Sequence, residues 1–462
     1  MISEYQHGST DTGLDPSFAD QGIASLQSPA PLYPEYSTQV VAVGPDHKVY
    51  IAGRASAGLN NSVHTLTRLT DAGLLDTTFG DNGHFSGYFY KSDRSTFFAE
   101  QIAFTGAKIL VTGHLSHNEN GALRWDAAAV RFLENGTIDE TFGEQGKFVF
   151  YTPDLDEDTS LTTAYHEKLL YDASLRSGSR HPRAIDAGNA YQNTPVTEEH
   201  IFLLSHSGNF VNQHSWIIRI TQHGQLDTTF NESGFVRVRH PIYPRLRLSS
   251  LTIDDDGNYI CSGEVRVDRS NFPDAIVMVK HDKNGNLDTS YQQNGFLLIT
   301  HEAPGHFFLL EKTVKQPNNR LLCLGLAVNN DEREISAVLI SREADGSSNI
   351  QFNSGKPVFT TINSSSAAWT NAQFQPNGSF LTAGLVNIDG SSKTHYVVSR
   401  FLYNGTLDKD FGNGTGSLSF EQATNFVYHS SAFTESKVLF DIQSYEPGAP
   451  FYDYAVGRAL IP

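Results

Sequence analysis

The chain has 462 residues, and 33 Lys and Arg stand against 51 Asp and Glu, a formal net charge of −18. So acidic a chain repels phosphate backbones and anionic lipid heads, which argues against nucleic-acid binding and membrane-surface binding. No apolar run approaches the roughly 18 residues that span a bilayer, and 38 Gly with 30 Phe and 19 Tyr, beside short Leu, Ile and Val runs, point to an all-β chain rich in turns.

Residues 1–12 form a polar leader carrying Glu4, Gln6 and His7, without the basic and apolar regions of a secretory signal. A cytoplasmic protein is expected, or one released without a cleaved signal peptide. From Gly13 onward one phrase recurs. It reads Leu14-Asp15-Pro16-Ser17-Phe18, then Leu75-Asp76-Thr77-Thr78-Phe79-Gly80 and Ile138-Asp139-Glu140-Thr141-Phe142-Gly143. It returns at Leu226-Asp227, Leu287-Asp288, a degraded Ile350-Gln351 and Leu407-Asp408. The copies lie about 60 residues apart, except for a longer gap between Ile138 and Leu226, and such a period marks a solenoid, propeller or array.

Each copy continues with a glycine and a short apolar strand, as in Lys147-Phe148-Val149-Phe150. Two strands joined by a tight turn follow, such as Val41-Ala42-Val43 and Val49-Tyr50-Ile51-Ala52-Gly53 around Gly44-Pro45-Asp46. A further strand, such as Ala129-Val130-Arg131-Phe132-Leu133, ends in the turn before the next phrase. The fold class expected is all-β: a seven-bladed β-propeller with about four antiparallel strands per blade. The Gly-x-Leu-Asp-x-x-Phe-Gly phrase with this period resembles the delta-60 repeat family, found mainly in bacterial proteins. The resemblance covers essentially Gly13 to Pro462 and implies a β-propeller; it implies no defined activity.

In the phrase, the repeated aspartates Asp15, Asp76, Asp139, Asp227, Asp288 and Asp408 suit Asx turns, and the Phe supplies apolar area where blades meet. A ligand-binding Asp is the alternative, but function rarely needs every copy of a repeat. Five residues before the turn glycine stands a basic residue, Arg68, Arg131, Arg219, Lys280 or Arg400, and a repeated pair with the Asp would staple each turn to its preceding strand. In the sixth copy the basic residue shifts to Arg342, and Gln351 stands where Asp is expected. The final strand ends with Arg458 in register with Arg68, where the first phrase begins, so the N-terminal segment is expected to dock beside the C-terminal strand and close the ring.

Departures from the repeat mark where function can sit. The loop at about 151–198 is longer than its equivalents. It starts acidic (Asp154, Asp156, Glu157, Asp158) and ends basic (Arg176, Arg180, His181, Arg183), which fits a lid, an interaction arm or a tolerated insertion. Loops after the third strand of each copy carry Arg54, His114 with His117, His206 and Glu264. The two histidines of His114-Leu115-Ser116-His117 lack a third metal ligand, so no metal is expected. Asp254-Asp255-Asp256-Gly257 falls at a hairpin position and reads as a turn. Trp125 and Trp216 lie near the start of fourth strands and Trp369 follows a Ser-rich loop, where they either pack or stack on sugars. Cys261 and Cys323 occupy equivalent positions of neighbouring repeats and read as buried, reduced thiols.

No phosphate loop, dinucleotide fingerprint, Gly-x-Ser-x-Gly elbow or Cys-x-x-Cys site occurs, so no cofactor is expected. The leading expectation is a non-catalytic scaffold whose loop-lined face meets a protein or glycan. The alternatives are a propeller hydrolase or lyase with its site at the channel mouth, and a lectin. An enzyme would gather His, Glu and Arg with shifted pKa values at that mouth; a scaffold would show a contiguous apolar patch.

Overall fold

Short apolar runs punctuated by tight turns leave the backbone one economical way to satisfy its N–H and C=O groups, which is antiparallel pairing. The computed structural model describes residues 13–57, 62–90, 95–119, 122–153, 193–208, 212–267, 272–329, 334–362, 365–387, 394–420, 430–444 and 453–461. Their fold is all-β, with helical turns only at Pro317–Asn319 and Asn353–Gly355 among the described residues. No helix among them is long and apolar enough to cross a membrane.

After β1 (Ile23–Leu26), the chain forms a first four-stranded sheet from β2 (Glu35–Val43), β3 (Val49–Ser56), β4 (Ser62–Leu69) and β5 (His84–Gly87). A second follows from β6 (Thr96–Thr105), β7 (Lys108–Glu119), β8 (Ala122–Leu133) and β9 (Lys147–Phe150). The third has only three described strands, β10 (His200–Gly208), β11 (Gln213–Thr221) and β12 (Phe235–Val238), fewer than the repeat suggests. Asn193 and Val196, where a first strand is expected, make only isolated bridges, to Ser250 and Ile201. One parallel bridge, Gln213 to Arg245, joins this sheet to the fourth: β13 (Arg245–Ile253), β14 (Tyr259–Arg266), β15 (Ala275–His281) and β16 (Phe296–Ile299).

The fifth sheet comprises β17 (His306–Lys315), β18 (Leu321–Asn329), β19 (Glu334–Arg342) and β20 (Val358–Thr360). The sixth comprises β21 (Ser366–Phe374), β22 (Phe380–Asn387), β23 (Thr394–Phe401) and β24 (Ser417–Phe420). The last unites β25 (Ser431–Phe433), β26 (Lys437–Ser444) and β27 (Asp453–Leu460) with β1 from the other end of the chain, Ile23 opposite Gly457 and Leu26 opposite Tyr454.

Sequence repeat and sheet are out of phase. The short strand after each phrase returns to the edge of the preceding sheet, as β9 pairs with β8, and β1 obeys the same rule on β27. The first strands of successive sheets lie side by side. Ala99 N–H donates to Gln39 Oε1 (3.0 Å), Thr313 N–H to Ser250 Oγ (3.1 Å), and Lys312 Nζ to Asn371 Oδ1 (2.9 Å). Asn371 Nδ2 donates to Ser431 O (3.0 Å), and Val41 N–H donates to Ser430 Oγ (3.2 Å). The core fills the gaps between sheets: Val41, Val49 and Ile51 pack with Leu439 and Val456, and Leu322, Leu324 and Leu339 pack with Trp369 and Phe380.

The repeated phrase forms the clasp between neighbours. Arg68 Nε donates to Asp76 Oδ2 (2.8 Å), Arg131 Nε to Asp139 (2.9 Å), Arg400 Nε to Asp408 (2.7 Å) and Arg458 Nε to Asp15 (2.9 Å), and Arg219 Nε lies 2.8 Å from Asp227. The other Asp oxygen closes an Asx turn, accepting from the Thr78 N–H (3.2 Å) and hydroxyl (2.6 Å) in the second phrase. Each guanidinium also lies over the phrase's aromatic ring, 4.4–4.9 Å from its centroid.

Arg68 Nη1 then reaches into the next sheet's turn, donating to Glu134 O (2.8 Å), and Arg219 Nη1 to Lys283 O (2.9 Å). Arg458 does the same across the chain ends, to Asp71. Backbone bonds repeat this link, Gly80 N–H to Asn135 O and Asn231 N–H to Asn284 O, both 2.7 Å. The turn glycine must be glycine twice over: Gly73 and Gly285 have φ of +78° and +92°, and a Cβ on either would lie 2.8 Å from Phe18 or Phe230.

Two copies differ from the spacing-based pairing. Lys280 lies 2.9 Å from Asp254 rather than on Asp288, and Tyr291 replaces the Phe beneath it. In the sixth copy the strand register places Ser341 opposite Leu322, the site that Arg68 holds opposite Tyr50. Neither Arg342 nor Gln351 takes the pair's places. Asn349 takes the Asp position, donating from Nδ2 to Ser341 Oγ (3.0 Å) and accepting from Gln351 N–H (3.1 Å). A buried ion pair has been exchanged for a buried neutral one, both partners changing together because either alone would strand a charge. Cys261 and Cys323 are buried free thiols.

Removing Arg131 leaves the buried Asp139 with only the partly exposed Lys108 (3.0 Å) as counter-charge, so Arg131→Met should lower unfolding free energy by about 1.5–3 kcal/mol in urea denaturation. Asn349→Asp should also destabilise, and adding Ser341→Arg should recover part of that loss, a coupling read by a double-mutant cycle.

Candidate functional site

Where the first strands converge, five of them carry a β-bulge at the same place. The extra residue is Gln39, Glu100, Ser249, Glu311 or Thr370, each beside the partner of a glycine in the next strand. Those glycines, Gly53, Gly113, Gly263, Gly325 and Gly384, have no room for a side chain, since a Cβ would lie 1.9–2.2 Å from the carbonyl oxygen across the ladder. The bulge bends the strand and turns its extra side chain out of the ladder.

The residue after each glycine, or its equivalent, then stands at one register level of the sheets. It is Arg54, His114, His206 and Glu264 in the first four sheets, Leu326 and Leu385 in the next two, and Gln443 in the last. At this level the first four sheets carry ionisable side chains and the next two carry leucine.

The four ionisable residues occupy consecutive sheets, and their neighbours link them. The Arg54 guanidinium lies 5.0 Å from the Phe98 ring centre, and Phe98 stacks on Trp125 at 5.0 Å with planes 24° apart. His114 Nδ1 is 3.0 Å from Glu100 Oε1, and its ring lies 6.1 Å from that of His206. His206 Nδ1 is 3.0 Å from Ser215 Oγ. Burial pushes His206 well below the usual imidazole range, and the positive charge of Arg247 adds to this, so the ring is neutral at pH 7.

Glu264 Oε1 accepts from Leu310 N–H (3.1 Å), and its Oε2 lies 3.2 Å from Arg266. Burial pushes Glu264 up, against the pull of Arg266 and Arg247. Burial, then the neighbouring Glu264 charge, pushes Glu311 up to about 8, so this carboxyl keeps its proton at neutral pH. Burial brings the adjacent Lys312 down to about 8.

Other candidates fall elsewhere. His117 lies 2.8 Å from Asp126, which accepts from Thr152 N–H (2.9 Å); His114 and His117 are thus committed to different carboxylates. Among the described residues no group of three or more His, Cys, Asp or Glu could hold a metal ion. Trp216 and Trp369 are buried, Trp216 donating to Ser207 Oγ (2.8 Å), and neither offers a face to a sugar; Trp125 is half-buried in its stack. Asp254 caps its hairpin, accepting from Asp256 and Asn258 N–H (3.0 and 2.8 Å). Of the lengthened loop, 154–192 and its named charges lie outside the described residues, as does the leader 1–12.

Sequence inspection missed Glu100, Arg247, Glu311 and Lys312. A signal existed: each lies within two residues of the bulge opposite an otherwise unexplained strand glycine.

No family model matches the chain, and no curated protein matches its sequence. Solved structures resemble it in architecture. They include a polysaccharide lyase, Uly1, with TM-score 0.47 and 10% identity, covering 98% of this chain and 96% of that one. The β-propeller domain of the Trilobed protease from Pyrococcus furiosus, of open velcro topology, gives TM-score 0.42 and 7% identity over 89% of this chain and 91% of that one. A GH74 xyloglucanase from Xanthomonas campestris gives 0.40 and 10% over 89% of this chain and 52% of that one. These likenesses are remote and concern a β-propeller-like fold.

Gly263→Ala must displace Arg247 and Leu248, and should cost about 3 kcal/mol or more in thermal unfolding. Gly257→Ala, where a Cβ meets nothing within 4 Å and only the +82° φ opposes it, should cost about 1–2 kcal/mol.

Proposed function

We propose that the sheets close into one seven-bladed β-propeller of delta-60-type repeats over residues 13–462, and that its mouth is an acid–base site of the hydrolase or lyase class acting on a carbohydrate. Closure is supported by β1 on β27, by the Arg458–Asp15 pair reaching Asp71, and by the Val41–Ser430 contact. Deleting Leu14–Phe18 removes the clasp joining the chain ends, and the melting temperature should fall; an unchanged melting curve would speak for an open arc.

The observation that carries the functional reading is a proton-holding carboxyl, Glu311, beside a second carboxyl, Glu264, with neutral His206 nearby on the same rim. Paired groups whose surroundings push their protonation apart divide into acid and base. Glu311 gives its proton to the leaving glycosidic oxygen. Glu264, whose charge Arg266 and Arg247 favour against its burial, takes one from the attacking water in hydrolysis; in elimination, His206 takes the proton from carbon. The half-exposed Phe98–Trp125 stack offers a sugar ring an apolar face.

The test is release of reducing ends, and of ultraviolet-absorbing unsaturated ends, from a panel of neutral and acidic polysaccharides. Glu311→Gln should lower turnover about 100-fold or more while binding persists. Because the acid must be protonated, activity should fall as pH rises through about 8. Absence of both binding and cleavage across the panel would overturn the assignment.

A further inference from the structure

We infer that the junction between the first and second sheets is an acid-sensitive seam, which opens when the buried His64 ring takes up a proton.

His64 stands on β4 inside a cage of phenylalanines. Phe85 of β5, Phe89 of the connection after it, Phe97 of β6 and Phe132 of β8 place their ring centres 5.2, 6.0, 5.9 and 6.5 Å from the imidazole. Phe89 and Phe97 stack on each other, and Phe85 meets Phe132 edge-on. The rings come from both sheets and belong to the core that joins them.

The imidazole is buried, and neither of its nitrogens has a hydrogen-bond partner; no other histidine among the described residues leaves both nitrogens in that state. The Gly87 backbone, opposite His64 in the β4–β5 ladder, supports the charged ring, but burial and then the Lys147 charge outweigh it and push the ring down to about 3. The charges nearest the ring are cations. Lys147 reaches over the Phe89 ring to donate to Phe89 O (2.7 Å), and Arg54, opposite His64 on β3, lies over Phe98. On the other elements packed here, His84 faces Thr67 (2.9 Å), Glu100 faces His114 (3.0 Å), Asp126 faces His117 (2.8 Å) and Arg131 faces Asp139 (2.9 Å). Both carboxylates in that set are thus taken, and an imidazolium in the cage would be an unpaired buried charge.

The fold does not call for a histidine at this position. In ladder register His64 corresponds to Ala127, Ser215, Ile276, Ala337, Tyr396 and Tyr454 of the other sheets. Only in the first sheet does a titrating ring fill it. In an unfolded chain histidine takes its proton below about pH 6.5, whereas in the seam His64 resists until about 3. Between these values opening takes up one proton. The stability that neutral His64 preserves above pH 6.5 is therefore lost as pH falls, and the equilibrium constant for opening rises about tenfold per pH unit.

The test is urea unfolding of the full chain between about pH 7 and 4.5. His64→Leu removes the titrating ring and no hydrogen bond, so it should be at least as stable as the unchanged chain at pH 7. Near pH 4.5 its unfolding equilibrium constant should be about 100-fold the smaller of the two. Burial also pushes His206, His214 and His281 down, but these are common to both chains and cancel in the comparison. His64→Gln, polar but not titrating, should lose the same pH dependence whatever it costs at neutral pH, which separates protonation from packing. Hydrogen exchange at about pH 5 reads where the opening lies. There β4, β5 and β6 should be better protected in His64→Leu than in the unchanged chain, whereas β18 of the fifth sheet should not differ. An acid transition unmoved in both variants, or a gain in protection as large in β18 as in β4, would overturn the inference.

Discussion

Neighbouring sheets meet through one composite contact, an arginine that binds an aspartate of its own repeat, lies over that repeat's aromatic ring and donates to the next repeat's turn. Each component is modest. Together they join four demands, since the buried guanidinium needs the carboxylate, the carboxylate needs its Asx donors, the ring needs a lid, and the next turn's carbonyl needs a donor. The sixth copy shows how tightly the parts depend on one another: once serine replaces arginine, asparagine replaces aspartate, and the backbone turn persists because Asn349 supplies the same Asx acceptor. The same contact between Arg458, Asp15 and Asp71 ties the ends of the chain together.

With this frame satisfied at the outer clasps, the converging strands are free to vary. Bulge and glycine recur because backbone packing demands them, whereas the side chains at the bulge and just past the glycine differ from sheet to sheet. That freedom is where the run of ionisable positions arises. Arg54, His114, His206 and Glu264 follow one another through four sheets, while Leu326 and Leu385 occupy the same level in the fifth and sixth. A repeating scaffold thus carries an uneven set of side chains, and burial raises Glu311 and lowers His206, favouring the neutral form of each.

Much of the architecture was legible before any coordinates. The period, the turn residues and the alternation announced hairpin sheets, because these are local demands of backbone hydrogen bonding. Spacing alone also suggested pairing Arg68 with Asp76 and Arg131 with Asp139, because two residues bracketing one turn are neighbours whatever the rest of the chain does. It misjudged Lys280, which a carboxylate from another hairpin captures, and the sixth copy, where identity had drifted but register had not. Residues 54, 114, 206 and 264 could be nominated from sequence as departures from a repeat. That Glu100, Arg247, Glu311 and Lys312 join them, that Trp216 is packed away, and that Glu311 keeps its proton were decided only by tertiary structure. Which side chains share a rim, and how far each is removed from water, depends on contacts between segments hundreds of residues apart, and no local pattern encodes them.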